Sequence, residues 1–205
     1  MATKYLQANQ AMSTLVVYTA ASGGSISTLD AGDDLVLNGY TLTLDAPALP
    51  ASGTLSSITD FGKAGYVSVP LDTTGNCAIR ATTITPGTVG ANGFIQVTGT
   101  TTNTLTITGS IAGGGASSIG LTLSGTGIVN ITGSISGGPG VGRHGAVISS
   151  TGTLTVVGNV AAGTSGYGIN VTGAGTVTIT GNVDGGSGSS GYGVSVSAAA
   201  TVAIT

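Results

Sequence analysis

The chain has 205 residues, of which four are basic, seven are acidic and one is histidine, for a net charge of −3. Lys4, Lys63, Arg80 and Arg143 are scattered, so no basic patch exists that could neutralise several phosphates, and nucleic-acid binding is excluded as a function class. Glycine supplies 38 residues, yet 40% of the chain is hydrophobic and the mean hydropathy is +0.46, the composition of a chain with a core and not of a disordered linker.

Residues 1–34 are read as an attachment or capping segment. Their opening, "MATKYLQANQAMSTLVVYTAASGG", only weakly imitates a secretory leader: Gln7, Asn9 and Gln10 precede the apolar stretch, and Ser13, Thr14 and Thr19 interrupt it. No apolar run reaches the roughly 18 residues of a membrane span. "LDAGDD" at 29–34 gathers Asp30, Asp33 and Asp34. Three carboxylates in a loop could hold calcium, but a polar turn bonding its own backbone ahead of "LVLNG" is the expected reading.

From residue 35 to 205 the sequence repeats. "LTITGSI" at 105–111 returns as "VNITGSI" at 129–135, "LTVVGNV" at 154–160 and "VTITGNV" at 177–183, and "TVAIT" at 201–205 begins another copy. A second phrase lies half a period away: "IGLTLSGTG" at 119–127, "HGAVISSTG" at 144–152, "YGINVTGAG" at 167–175 and "YGVSVSAAA" at 192–200. Weaker forms lie upstream in "GFIQVTG" at 93–99, "GYVSVP" at 65–70 and "GYTLTLD" at 39–45. Apolar and polar residues alternate within each phrase, the period of a strand with one buried face, and no stretch has helical periodicity.

This pattern predicts an all-β fold: a single-chain right-handed parallel β-helix of about seven coils, with about 24 residues per coil. Equivalent residues then stack into columns. One reads Leu105, Val129, Leu154, Val177, Val202; the next Ile107, Ile131, Val156, Ile179, Ile204; a third Ile111, Ile135, Val160, Val183; a fourth Val97, Leu123, Ile148, Val171, Val196. Glycines mark the corners, and "AGGGASS", "GGPGVGR", "AGTSG" and "GGSGSSG" form loops along one edge. A solenoid needs caps, and the C-terminal end is expected to be uncapped.

"GDDLVLNGYTLTLD" at 32–45, followed by strings such as "TLTITGSI" and "AGTVTITGNV", resembles the Gly/Thr-rich β-helical repeat proteins of bacteriophage virions, of fibre, spike or head-decoration type. It is also similar to the repeats of bacterial surface adhesins. The resemblance is one of pattern over about 170 residues. It implies a structural role on a virion surface, with the protein made in the host cytoplasm. The implied partners are other virion proteins through the N-terminal segment, further copies in a homo-oligomer such as a trimer, and a host-surface glycan.

No catalytic, cofactor-binding or metal-binding residue is assigned, and the protein is read as a non-enzyme without a cofactor. Polysaccharide-cleaving β-helices need carboxylates paired a few ångströms apart, and the seven aspartates here recur in no repeat column. Cys77, the lone cysteine, is read as a small buried apolar residue. His144 shares a column with Ile119, Tyr167 and Tyr192; His144, Tyr167 and Tyr192 are the candidate surface-contact residues, with edge shielding as the competing role of the two tyrosines. The triplets Thr104/Thr106/Thr108 and Thr176/Thr178/Thr180 raise a third class, an ice-binding face, although Ile128, Asn130, Val157 and Ala203 interrupt the grid. The second class is a secreted or surface adhesin whose loops touch glycans.

Overall fold

The structure is a computed structural model describing residues 1–60, 63–87, 93–113 and 119–205. The chain winds into a right-handed parallel β-solenoid with three strand-bearing faces. Face A stacks Ala48–Leu49, 77–80, 104–108, Ile128–Thr132, Thr153–Val157, Thr176–Thr180 and Thr201–Ile204. Face B stacks Thr3–Tyr5, Asp34–Val36, Leu55–Thr59, 83–85, 110–111, Ile135–Ser136, Val160–Ala161 and Val183–Asp184. Face C stacks Gln10–Ala11, Thr41–Thr43, Tyr66–Pro70, Ile95–Thr98, Leu121–Leu123, Ala146–Ile148, Ile169–Val171 and Val194–Val196.

Alternation decides which side chains enter the core. In Thr176–Thr180, Val177 and Ile179 are buried while Thr176 and Thr180 are exposed. Parallel pairing then sets like on like. Ile107 pairs with Ile131, Ile131 with Val156 and Val156 with Ile179, at sequence steps of 24, 25 and 23 residues. Ile107, Ile131 and Ile179 are 0%, 2% and 0% exposed, so the ladder is dry. Each fully buried aliphatic of this kind contributes about 1.5–3 kcal/mol relative to exposure. The column continues backwards through Ile79, and its neighbour, headed by Leu105, continues through Cys77.

Faces A and B meet at a glycine. Gly133, Gly158 and Gly181 have φ of +143°, +149° and +144°, a region that side chains other than hydrogen rarely enter. The strand Cys77–Thr85 turns the same corner without that glycine, by a register shift between Arg80 and Thr83 opposite 108–110.

The N-terminal residues take part in the stack. Thr3–Tyr5 pairs in parallel with Asp34–Val36, and Gln10–Ala11 with Thr41–Thr43. Between them and the next coil, Val17–Tyr18 pairs antiparallel with Thr3–Tyr5, and Ile26–Ser27 pairs antiparallel with Val17–Tyr18. This hairpin covers the strand edge that Thr3–Tyr5 would otherwise expose. Lys4 heads the inner column above Leu35 and is buried. Its amine is 2.5 Å from Ser27 Oγ and 3.9 Å from Asp33 Oδ2, so a charge at the top of an apolar ladder is compensated by the cap.

Two short helical turns depart from the all-strand expectation. Met12–Thr14 is a 3-10 turn, and Leu71–Thr74 is one α-turn between faces C and A. Neither is long enough to show a 3.6-residue period, which is why the sequence pattern does not reveal them. The α-turn buries Leu71, and Asp72 Oδ1 accepts the backbone N–H groups of Thr100 (2.7 Å) and Thr101 (3.0 Å) from the next coil.

Candidate functional site

Two surfaces carry the residues that could meet a partner: the outer side of face A and the loop edge joining face B to face C.

Outward positions on face A form three columns. Thr104, Ile128, Thr153, Thr176 and Thr201 make the first, and Thr106, Asn130, Thr155, Thr178 and Ala203 the second. The third reads Thr108, Thr132, Val157 and Thr180. Rungs repeat every ~4.8 Å and alternate residues along a strand every ~6.7 Å. The grid therefore exists in space, with Ile128, Asn130, Val157 and Ala203 as its interruptions. From Thr104 onward it bears no charge, and Arg80, paired with Thr108, is the one charged residue in line with its third column, so its contacts are mainly hydroxyl and amide hydrogen bonds and methyl packing.

The loop edge is built by 137–145, 162–168 and 185–193 in consecutive coils. The corresponding stretch "AGGGASS" spans 112–118, and 114–118 lie outside the described residues. Backbone register aligns the column expected from the sequence. Gly120 N–H donates to the His144 carbonyl, Gly145 N–H to Tyr167 and Gly168 N–H to Tyr192, at 3.4, 3.2 and 3.1 Å. The rings follow the backbone: His144 and Tyr167 stack with centroids 5.0 Å apart and planes 2° from parallel, and Tyr167 and Tyr192 stack at 6.0 Å and 23°. Both faces of the Tyr167 ring are thus covered. Tyr192 is 59% exposed and has one ring face free of the stack.

His144 makes a further bond that the sequence does not announce. Its Nδ1 accepts the backbone N–H of Tyr167 at 2.9 Å, and its Nε2 lies 3.5 Å from the Asn170 side-chain nitrogen. Burial, and then the neighbouring Arg143 charge, hold its pKa below the ordinary 6.5.

The carboxylates at 29–34 are occupied partly by their own turn and partly by residues of neighbouring strands. Asp33 accepts the N–H of Ala2 at 2.8 Å and of Asp30 at 3.3 Å, Asp34 accepts the Ser57 hydroxyl at 2.7 Å, and Asp30 accepts that of Thr28 at 2.9 Å. Cys77 is buried, and desolvation pushes its thiol up to about 11, so it is poorly placed to form a nucleophilic thiolate. Among the described residues, no group of three His, Cys, Asp or Glu side chains could hold a metal ion, and no helix is long and apolar enough to cross a membrane.

Two polar features have no counterpart in the sequence reading. Asp60 is fully buried and accepts the N–H of Gly39 at 2.7 Å and of Gly65 at 2.6 Å; burial raises its pKa. Beside it, Lys63 Nζ donates to Asn38 Oδ1, and Asn38 Nδ2 donates to the carbonyls of Leu6 and Ala21. The second feature is a polar ladder just past the corner glycines. Ser110 Oγ accepts the N–H of Ser134, Ser134 Oγ that of Asn159, and Asn159 Oδ1 that of Asn182, at 3.2, 3.2 and 3.0 Å. Its signal was available: the residue after the glycine in each copy of the phrase is serine or asparagine. No family model, curated protein or solved structure matches the chain.

Proposed function

We propose that the protein is a non-enzymatic structural shaft on the surface of a virus particle, a phage fibre, spike or capsid decoration that reaches toward the host surface. One observation carries this reading: parallel pairing runs unbroken along the whole stack on face C, and the inner columns are filled with interchangeable aliphatics. Such a body is stiff, because every coil is clamped by the one before and the one after. Its outer surface is nearly uncharged, so its contacts are those of hydroxyls, backbone and a few apolar tips. The N-terminal end, with its hairpin cap, is the end suited to docking on a particle, and face A is the surface that oligomerisation would bury.

The test is localisation. Antibodies raised against the loop edge should decorate purified particles in immunogold electron microscopy, and peptides of the chain should copurify with capsid proteins in mass spectrometry. Recovery in a cell-envelope fraction, with particles unlabelled, would overturn the virion reading.

A second reading, an adhesin contacting neutral glycans, is favoured by the exposure of Val141 (71%) and Tyr192 (59%) on the loop edge. Glycan-array binding that disappears in Tyr167→Ala and Tyr192→Ala variants would favour it; an array without signal would remove it.

A further inference from the structure

We propose that His144 is an acid-sensitive latch between two successive loops of the edge. Loops 137–145 and 162–168 are joined by several hydrogen bonds. Gly142 N–H donates to the Thr164 carbonyl at 2.9 Å, Gly163 N–H to the Arg143 carbonyl at 2.8 Å, and the Thr164 hydroxyl to the Pro139 carbonyl at 3.1 Å. Gly145 N–H reaches the Tyr167 carbonyl at 3.2 Å. All of these have carbonyl acceptors that do not titrate. The remaining bond, from Tyr167 N–H to His144 Nδ1 at 2.9 Å, is the exception, because imidazole changes charge between about pH 5 and 8.

The geometry fixes which proton matters. Nδ1 can accept only while it carries no hydrogen, so the neutral ring holds its proton on Nε2, on the Asn170 side. Acid adds the second proton at Nδ1, directly against the Tyr167 N–H. Two donors then face each other where a bond had been. Around the ring only the Tyr167 backbone favours the charged form, and burial and the Arg143 charge outweigh it. Arg143 of the same loop adds a second positive charge, Tyr167 stacks on one face, and Asn170 offers an amide. No carboxylate lies within ion-pairing distance of the ring among the described residues. Protonation therefore breaks this bond and frees the corner, while the inner columns beneath it, Val160 and Ile169 included, stay packed. The neighbouring coil has tyrosine in the same place, whose phenol ring has no such acceptor, so the device belongs to this one coil.

The experiment is amide exchange by NMR on the full-length 15N-labelled chain between about pH 8 and about pH 5. Corrected for intrinsic exchange, protection of the Tyr167 amide should fall by up to about tenfold per pH unit as pH drops from the ordinary value of 6.5 to the lower midpoint of the folded ring, and level off below it. The Gly145 and Gly168 amides, bonded to carbonyls, should keep theirs. His144→Gln retains an oxygen acceptor that does not titrate and should leave Tyr167 protection independent of pH. His144→Tyr should leave it low throughout; should that variant not fold, the glutamine variant decides alone. Constant Tyr167 protection in the natural chain, the same pH dependence in His144→Gln, or a neutral ring protonated at Nδ1 would each overturn the latch.

Discussion

The carbonyl oxygen of Gly109 lies 2.3 Å from where a Cβ on Gly133 would sit. Position 133, at the corner between faces A and B, is therefore closed to every other residue twice over, by this contact and by a φ of +143°. Gly133→Ala is expected to cost at least about 1–2 kcal/mol from backbone strain alone, with the clash added to it. Gly142→Ala is the control: its φ of +69° is also strained, but nothing lies within 4 Å of the new methyl, so its cost should stay near about 1 kcal/mol. Urea unfolding of the two variants side by side measures the difference.

Inner and outer positions one residue apart should respond very differently. Ile131 is buried between Ile107 and Val156, whereas Thr132 faces solvent. Ile131→Ala should destabilise by about 2–5 kcal/mol and Ile131→Val by about 0.5–1.5. Thr132→Ala should stay within about 0.5 kcal/mol. Equal losses at the two positions in denaturant titrations would contradict the inward and outward assignment.

Acid should weaken the fold through His144. Its pKa in the folded chain is depressed, so the unfolded chain takes up the proton more readily. The stability it confers is complete above the unfolded-state value near 6.5 and is lost as pH falls through the lower folded-state value. Asp60 works in the opposite sense. Burial raises its pKa above 3.8, so the folded chain binds that proton first, and acidification between the raised value and 3.8 favours the native state. Thermal melts from neutral to mildly acid pH should show a decline that His144→Gln removes.

Asp60 is predicted to be more costly to truncate than any exposed aspartate. Asp60→Ala orphans the N–H of buried Gly65, at about 1–3 kcal/mol, and removes the bond to Gly39, which is exposed and can turn to water at smaller cost. Asp60→Asn keeps one acceptor oxygen and should fall between that variant and the natural chain. Asp184→Ala, on an exposed position, serves as the reference in the same melts.

What the sequence reveals follows from where the repeat is strict. Leu105, Ile107 and their copies alternate with threonine, and a period of two with recurring glycine admits few folds other than stacked strands, so those columns were legible. The aromatic column was legible for the same reason, since each ring precedes the glycine that opens face C. The N-terminal part was not. Lys4 is placed inward by its pairing with Leu35, and only the distant Ser27 and Asp33 make that tolerable. Asp60 looks like any loop aspartate until Gly39 and Gly65 are seen to donate to it. The His144 bond was hidden because it joins a ring to a backbone amide 23 residues away, and residue type alone does not say which nitrogen is lone-paired.

The pairing of Ile128 with Thr153, and of Val129 with Leu154, also fixes how this molecule can change length. Excising 129–153 would join Ile128 to Leu154, and Leu154 would land where Val129 stood, so no rung would lose its neighbour. Loss or duplication of one such stretch can thus remove or add a whole storey while the strand register is kept. Length in this architecture is a quantity that heredity can adjust in fixed increments.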